Sequence, residues 1–410
     1  MSIDSERLAP LLHIRPGTTP RVAIISASYG AGHNSASREI SRALGEAGCD
    51  VEIFDFVDLM PWRLGHGLKA GYKMQLQVSP DSWGTTMSLV MPGRPLHRLF
   101  NQILRLSTRN LTDAMHGADL VISTHPFSSQ VIGHLRTTGQ LSAPAVTYLT
   151  DAAVPALWIN PGIDLNLAIH EVAAREARLL GGRAAVVQPL VPPGAAYVPG
   201  EVFPDPLADL NLKGPRALVT GGSLGAGALE QTALDILDHS DMTPIVLCAT
   251  DACLKRRLER IPGVVALGWR TDVRALMATS DCVVQNAGGF TSLEALASGT
   301  PVITYRSISG HGAANSANLD RAGLIPWARD EIELAKHLVV AAESPRFNRL
   351  ALGVPDIVQL LTGSYDGTTG TARAQRPADS PKSLAAFSWS TPRAQSSPSP
   401  SPRTPSTASR

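Results

Sequence analysis

Short apolar runs alternate with helical patterns along this chain, and they do so in two separate series. Each run is rich in Val, Ile or Leu, and enough chain for a helical crossover separates most runs from the next. Strands that alternate with helices favour a parallel sheet with right-handed connections. The sequence therefore predicts an α/β protein with two doubly wound parallel sheets and a cleft between their carboxyl edges. The predicted strands are Val22–Ala27, Val51–Phe56, Leu120–Ser123 and Ala145–Thr150 in the first series, and Ala217–Thr220, Ile245–Ala249, Val264–Leu267, Cys282–Gln285 and Val302–Tyr305 in the second.

A stretch dense in Pro and Gly separates the two series, at residues 191–215. It lacks apolar periodicity, which is typical of a linker. The end of the chain is rich in Ser, Thr, Pro and Arg, and such a segment buries too little surface to offset its ordering entropy. We predict an extension at 1–19, a first domain at 20–195, a linker at 196–215, a second domain at 216–363 and a disordered tail at 364–410.

Composition excludes several classes of protein. A hydrophobic fraction of 44% with 17% charged residues describes a globular chain, and a net charge of +1 gives no general attraction to nucleic acid. The four cysteines form no CxxC pair, which is typical of reduced thiols in the cytoplasm. No apolar run is long enough for a transmembrane helix, and the first residues lack the apolar core of a signal peptide. We expect a cytoplasmic protein.

The strand Cys282–Gln285 leads into Gly288-Gly289 and a helical pattern that starts at Thr291. The first turn of such a helix presents free N–H groups and the positive end of its dipole, so it suits the diphosphate of a nucleotide. Glu294 follows one turn later and is placed to accept hydrogen bonds from a ribose diol. After the next strand, a loop rich in Gly, Ser, His and Asn is placed to face a sugar.

The first strand is followed by a glycine-containing turn, residues 28–34, with a helix predicted to start at Ser35. Gly30 and Gly32 allow close approach of the backbone, and His33 lies at the helix N-terminus, where a protonated ring is disfavoured. A neutral imidazole directed into a cleft suits a general base. The alternative interpretation is a turn that only closes the strand onto the helix.

In their order, these motifs resemble the nucleotide-sugar signature of GT-B glycosyltransferases, in the family of the monogalactosyldiacylglycerol synthases, the processive diacylglycerol glucosyltransferases and the MurG-type transferase. The resemblance spans roughly residues 20–345. It implies two Rossmann-like domains and an inverting hexosyltransferase that uses a UDP-sugar without a metal ion or other cofactor. It also implies that His33 activates an acceptor hydroxyl, that Glu294 anchors the ribose, and that the acceptor is a membrane lipid such as diacylglycerol.

The resemblance implies further contacts. Asp151, after a strand of the first domain, is expected to orient His33, and Trp269 and Arg270 are expected to flank the uracil. The chain has Ser309-Gly310-His311-Gly312 where relatives often have Pro-Gly-Gln-Glu, which leaves the sugar open. The remaining donor contacts are Gly222, Ser223, Gly225, Gly288, Gly289, Thr291, His311 and Asn315, and the acceptor and phosphate loop comprises Gly30, Gly32 and Asn34.

Residues 61–110 combine seven basic side chains with one acidic residue, Asp81. Cations beside tryptophan and aliphatic side chains form an interfacial pattern, so we expect peripheral contact with the anionic inner face of the cell membrane. The alternative is an ordinary basic surface whose apolar residues pack inward. The membrane contacts that we predict are Trp62, Trp83, Arg94, Arg98 and Arg105.

Two other functions stay open from the residues alone. One is transfer from a UDP-sugar to a soluble secondary metabolite on the same fold. The other is a catalytically silent protein that only binds nucleotide sugars, favoured by the missing Gln-Glu pair.

Overall fold

The computed structural model describes residues 10–15, 17–78, 86, 88–222, 225–286, 289–348, 350 and 354–364. Ser223, Gly288 and Trp83 therefore lie outside the described residues, as does the tail predicted for 364–410 apart from Ser364. Within this part of the chain, no helix is both long and apolar enough to cross a membrane.

The first sheet has six parallel strands in the order β2-β1-β3-β4-β5-β6. Val, Ile and Leu in β1, β3 and β4 are buried, because helices cover both faces of the sheet. The strands are β1 (Arg21–Ser26), β2 (Asp50–Asp55), β3 (Leu120–Ser123), β4 (Ala145–Leu149), β5 (Leu165–Ala168) and β6 (Ala184–Val186).

The second sheet repeats this construction, with the order β12-β11-β10-β7-β8-β9. Its strands are β7 (Arg216–Thr220), β8 (Thr243–Leu247), β9 (Val265–Leu267), β10 (Cys282–Gln285), β11 (Val302–Tyr305) and β12 (Trp327–Ala328). Two parallel six-stranded sheets confirm the predicted α/β class.

The α-helices connect the strands and cover the sheets. They are α1 (Ala31–Glu46), α2 (Phe56–Leu59), α3 (Leu64–Val78), α4 (His97–Arg105), α5 (Thr108–Ala114), α6 (Pro126–Thr137), α7 (Glu171–Leu179), α8 (Leu229–His239), α9 (Ala252–Leu258), α10 (Val273–Thr279), α11 (Gly289–Ala297), α12 (His311–Arg321), α13 (Glu331–Glu343) and α14 (Ile357–Thr362). Three 3₁₀ turns, Pro61–Arg63, Ala156–Trp158 and Ala208–Leu210, complete the described elements.

The two halves share one core. Ile40 and Leu44 of α1 belong to the same buried apolar cluster as Leu293 and Leu296 of α11. Near its end the described chain returns to the first half, where the backbone N–H groups of Leu11 and Leu12 donate to the carbonyl oxygen of Leu361, at 2.9 and 3.0 Å.

Some element boundaries differ from the prediction. Helix α1 begins at Ala31, not Ser35, because Gly30 takes an extended conformation (φ −147°, ψ 156°) and the next residues already turn into the helix. Helix α11 likewise begins at Gly289, before Thr291. The sequence prediction did not include β5, β6 and β12, which are only four, three and two residues long.

Candidate functional site

The carboxyl ends of β1, β3 and β4 meet at one cavity of about 380 Å³. Polar groups from both halves line it, with His33, His125 and Asp151 from the first half and His311 from the second. The rest of the wall is largely apolar and includes the aromatic side chains of Tyr29, Tyr72, Phe127 and Trp158.

His33 lies in the first turn of α1 and contacts the chain just after β3. Its Nδ1 atom is 2.7 Å from the carbonyl oxygen of Thr124. A carbonyl can only accept, so Nδ1 carries the proton and Nε2 keeps a free lone pair. Burial lowers the pKa of His33, although the charge of Asp151 and the bond to Thr124 act in the opposite direction. The ring is therefore neutral near pH 7 and able to accept a proton.

His125 was not identified from the sequence, yet it lies beside His33 in the cavity wall. The two ring centroids are 4.7 Å apart, in an edge-to-face arrangement of 76°. His125 is the N-cap of α6, where its Nδ1 accepts the backbone N–H of Phe127 at 3.2 Å. The signal that could have found it is Ser123-Thr124-His125, three polar residues at the carboxyl end of a buried strand and just before Pro126.

Asp151 and His311 meet from opposite halves. Asp151 Oδ2 lies 3.3 Å from His311 Nε2 and also accepts a hydrogen bond from Thr150 Oγ1 at 3.1 Å. The expectation that Asp151 orients His33 by a direct bond needs correction, because Thr124 already occupies Nδ1 of that ring. Asp151 acts on His33 only through its charge.

His311 is the first residue of α12, and its Nδ1 is buried without a hydrogen-bond partner among the described residues. Burial lowers the pKa of His311, but the hydrogen bond and charge of Asp151 outweigh that effect and raise it above the ordinary value. The pKa of Asp151 is in turn lowered: burial raises it, and the bond to His311 acts more strongly in the other direction. The pair is thus an ion pair across the cleft at mildly acidic pH.

Gly289, at the start of α11, lies directly against the first half. A Cβ atom there would be 2.3 Å from Asp151 Oδ1 and 2.6 Å from the carbonyl oxygen of Thr150. Any side chain at this position would push the two halves apart, so the close approach needs glycine. Thr291 follows in the first turn of α11 and is half-buried.

Glu294 is half-buried on α11, which packs against α1. Burial first, and then the charge of Glu39 on α1, raise the pKa of Glu294 to about 7. Glu294 is not part of the wall of the cavity that holds His33. Its role toward a ribose stays a prediction.

The structure gives Asn315 a contact other than the expected one with a sugar. Its side chain is buried, and Oδ1 accepts backbone N–H groups from Ala152 at 2.8 Å and Ala153 at 3.3 Å. Asn318, one turn later, donates to the carbonyl oxygen of Ala152 at 3.0 Å and to Glu176 Oε1 at 2.7 Å. These amides tie α12 to the first half, because buried polar groups need partners.

The remaining predicted donor contacts lie at the carboxyl ends of strands in the second sheet. Gly222 and Gly225 both take positive φ, +69° and +59°, and a Cβ at Gly225 would be 2.9 Å from the carbonyl oxygen of Cys248. Trp269 is 61% exposed. Arg270 Nε donates to Asp272 Oδ1 at 2.7 Å, so its guanidinium is partly engaged. Their contact with a nucleotide stays a prediction.

The predicted acceptor and phosphate loop coincides with the start of α1. Gly30 is the N-cap, with open space where a Cβ would be, and a Cβ at Gly32 would make an ordinary contact of 3.5 Å with Phe290 Cβ. Asn34 Oδ1 accepts from Ser26 Oγ at 2.7 Å, so this oxygen joins the helix to β1.

The predicted membrane segment carries exposed basic and exposed apolar side chains together. Trp62 is 85% exposed, and its backbone has a positive φ of 52°. On and around α4, three arginines, Arg94, Arg98 and Arg105, are exposed, as are three leucines, Leu96, Leu99 and Leu106. The apolar residues of this segment therefore do not all pack inward.

No group of three or more His, Cys, Asp or Glu side chains suited to a metal ion occurs within the described ranges.

Comparison with known proteins places these features in a family context. Residues 33–191 match the family model described as monogalactosyldiacylglycerol (MGDG) synthase. A processive diacylglycerol beta-glucosyltransferase of Bacillus pumilus (strain SAFR-032) is 25% identical over 53% of this chain and 60% of its own length. The protein of the same name in Bacillus cereus (strain AH187) is 21% identical over 77% of this chain and 84% of its own length.

Two solved structures share the fold. The glycosyltransferase of kitacinnamycin aligns with a TM-score of 0.52 at 13% identity, covering 84% of this chain and 95% of that chain. The calicheamicin glycosyltransferase aligns with a TM-score of 0.51 at 14% identity, covering 85% of this chain and 96% of that one. By sequence and by fold, this chain is a GT-B glycosyltransferase that resembles the monogalactosyldiacylglycerol synthases and the processive diacylglycerol glucosyltransferases.

Proposed function

We propose that this protein transfers a hexose from a UDP-sugar to a hydroxyl group of a membrane lipid such as diacylglycerol. The match of residues 33–191 to the MGDG synthase family and the names of the Bacillus relatives, processive diacylglycerol beta-glucosyltransferases, support a lipid acceptor. Glucose, galactose and N-acetylglucosamine are the candidate sugars.

The bond between His33 Nδ1 and the Thr124 carbonyl carries this proposal. It fixes the tautomer in which Nε2 is the proton acceptor, in a largely apolar cavity where an acceptor hydroxyl is shielded from water. A general base needs both this protonation state and this position.

In the proposed reaction, the acceptor hydroxyl gives its proton to His33 Nε2, and its oxygen forms a bond with the anomeric carbon of the donor. The bond from that carbon to the UDP oxygen breaks on the opposite face, and UDP leaves with the electron pair, so the anomeric configuration inverts. The charge of Asp151 stabilises the imidazolium that forms, as it favours the protonated state of His33.

On the donor side, we propose that the diphosphate binds at the start of α11, a nine-residue helix that begins at Gly289. The free N–H groups and the dipole of its first turn favour an anion there. We propose that the start of this helix stabilises the negative charge of the leaving UDP, and that the reaction needs no metal ion or other cofactor. Glu294, one turn further on, is proposed to accept hydrogen bonds from the ribose.

We propose further that the exposed surface of Trp62 and α4 docks on the anionic inner face of the cell membrane. Arginines there are placed to meet phosphate headgroups, while the exposed leucines enter the interface. Docking of this surface would bring a lipid acceptor to the enzyme without a membrane-spanning element.

The test is a screen of UDP-glucose, UDP-galactose and UDP-N-acetylglucosamine against dioleoylglycerol and total lipid extracts, read by mass spectrometry and by UDP release. We expect a hexose added to a lipid with one of the three donors. Protection of a UDP-sugar without UDP release would instead indicate a silent binding protein.

One observation favours a second candidate, transfer to a soluble secondary metabolite. The cavity beside His33 is lined by Tyr29, Tyr72, Phe127 and Trp158, a wall that also suits a flat aromatic acceptor. Turnover with phenolic acceptors and none with lipids would favour this candidate.

A further inference from the structure

Two histidines with different hydrogen-bonding roles share the wall of the candidate acceptor cavity. His33 holds its proton on Nδ1 through the Thr124 carbonyl, so it offers an acceptor at Nε2. In His125 the Nδ1 atom accepts the N–H of Phe127, so the neutral ring must carry its proton on Nε2. The cavity therefore presents one nitrogen acceptor and one N–H donor, on rings whose centroids are 4.7 Å apart.

The surroundings of His125 hold its ring in place and keep it neutral. Tyr29 stacks on it with centroids 5.2 Å apart and planes 18° apart, while Phe127 meets it edge-on at 4.7 Å. Burial and the neighbouring His33 lower the pKa of His125 well below its ordinary value. A fixed N–H donor in an apolar wall discriminates strongly between ligands that can accept its hydrogen bond and ligands that cannot. A buried donor left without a partner destabilises the complex.

We propose that His125 donates a hydrogen bond from Nε2 to the carbonyl oxygen of an ester on the carbon next to the attacking hydroxyl, and that this bond selects acceptors with an ester at that position. The inference rests on the proposed function. In a diacylglycerol, the polar groups other than the free hydroxyl are esters, which accept hydrogen bonds and cannot donate them. The hydroxyl then gives its proton to His33, while the carbonyl oxygen of the neighbouring ester accepts a hydrogen bond from Nε2–H of His125.

Two variants separate this contact from the capping role of His125. Asn at an N-cap accepts a backbone N–H well, so His125→Asn keeps the cap on α6. It leaves no donor at the position of His125 Nε2, because the Asn amide nitrogen ends one bond short of it. His125→Gln places an amide donor near the Nε2 position and loses the cap. The substrates are dioleoylglycerol and its dialkyl ether counterpart, which lacks the ester carbonyls, each presented in the same detergent micelles.

We expect the wild type to favour the ester over the ether in kcat/KM by roughly threefold to tenfold, the range for one neutral hydrogen bond. His125→Asn should lose this preference and melt only moderately below the wild type, because it keeps the cap and loses the ring contacts with Tyr29 and Phe127. His125→Gln should retain most of the preference and melt lower. If His125→Asn does not fold, the ester-to-ether ratio of His125→Gln decides: a wild-type ratio supports the contact and a ratio near one overturns it.

An ester preference kept in full by folded His125→Asn would overturn the inference and leave the proposed function intact. Absence of any lipid product from the wild type would overturn the proposed function, and this inference with it.

Discussion

Asp151 Oδ2 and His311 Nε2 lie 3.3 Å apart, and the two residues come from opposite halves of the molecule, 160 positions apart in the sequence (311 − 151). Asn315 and Asn318 join the same two halves one and two turns further along α12. The cavity that holds His33 is therefore complete only when the two halves lie against each other, because His311 of the second half forms part of its wall.

His33→Ala should reduce kcat by about 10²–10⁴-fold, because the proton of the acceptor hydroxyl would have no positioned base. Steady-state kinetics on the lipid product measure the change, with circular dichroism to check folding. The exposed His13 offers a matched control, and His13→Ala should keep wild-type turnover. Wild-type kcat in His33→Ala would remove this histidine from the mechanism.

His311→Gln should flatten the pH dependence of thermal stability. Asp151 raises the pKa of His311 above its ordinary value in the folded protein, against the effect of burial. The stabilisation from the charged ring is therefore fully present below the unfolded-state pKa and is lost as pH rises through the folded-state pKa.

Melting temperatures of wild type, His311→Gln and His13→Gln between about pH 6 and about pH 8.5 test this linkage. The loss of stability toward high pH should be smaller in His311→Gln than in wild type and in the His13→Gln control. An identical pH slope in all three proteins would show that the pair contributes no such linkage.

Gly289→Ala should destabilise the protein by about 1–3 kcal/mol, the usual range for overpacking. Its Cβ would overlap Asp151 Oδ1 and the Thr150 carbonyl, at 2.3 and 2.6 Å. Gly45→Ala in α1 is the matched control, since a Cβ there meets open space and a helix favours alanine. Denaturant unfolding measures both, and equal stability of Gly289→Ala and wild type would contradict the close approach.

Glu294→Ala should weaken UDP binding by roughly 1.5–3 kcal/mol, the range for hydrogen bonds to a charged group. Because burial and Glu39 raise the pKa of Glu294 to about 7, wild-type affinity should also increase as pH rises through that value and the carboxylate forms. Calorimetry of wild type, Glu294→Ala and the exposed control Glu343→Ala measures both effects. Unchanged affinity in Glu294→Ala would place the nucleotide elsewhere.

Charge reversal of Arg94, Arg98 and Arg105 to Glu should release the protein from phosphatidylglycerol liposomes, because each basic residue at the surface contributes about 1 kcal/mol. Co-sedimentation at low salt measures binding, and UDP affinity should stay unchanged. The control reverses three exposed arginines outside residues 61–110, Arg38, Arg256 and Arg260. Equal recovery of wild type with and without liposomes would contradict docking.

The sequence was sufficient for several of the central strands. Leu120–Ser123, Cys282–Gln285 and Val302–Tyr305 were predicted with their observed boundaries, because strands covered on both faces are buried at every position and largely apolar. The edge strands β6 and β12 are only three and two residues long, too short to show a pattern.

Partners far apart in the sequence could not be predicted, for a different reason. His33 was recognisable from its local motif, but its bond to Thr124 joins positions 91 residues apart, and Asn315 reaches Ala152 across 163. Residue type and local spacing do not specify which distant groups meet, so the partners of Asp151 and Asn315 required the three-dimensional structure.

The return of the chain to the first half limits how the halves can separate. Besides the bonds of Leu361 to Leu11 and Leu12, Gln188 N donates to the carbonyl oxygen of Pro355 at 2.9 Å. The chain therefore leaves the first half after residue 188 and returns to it near residue 355, and these two crossings lie side by side. Two neighbouring crossings favour a hinge rotation of one half relative to the other over a free translation. A hinge rotation would bring His311 back to the same position relative to His33 and Asp151 each time the cleft closes around a substrate.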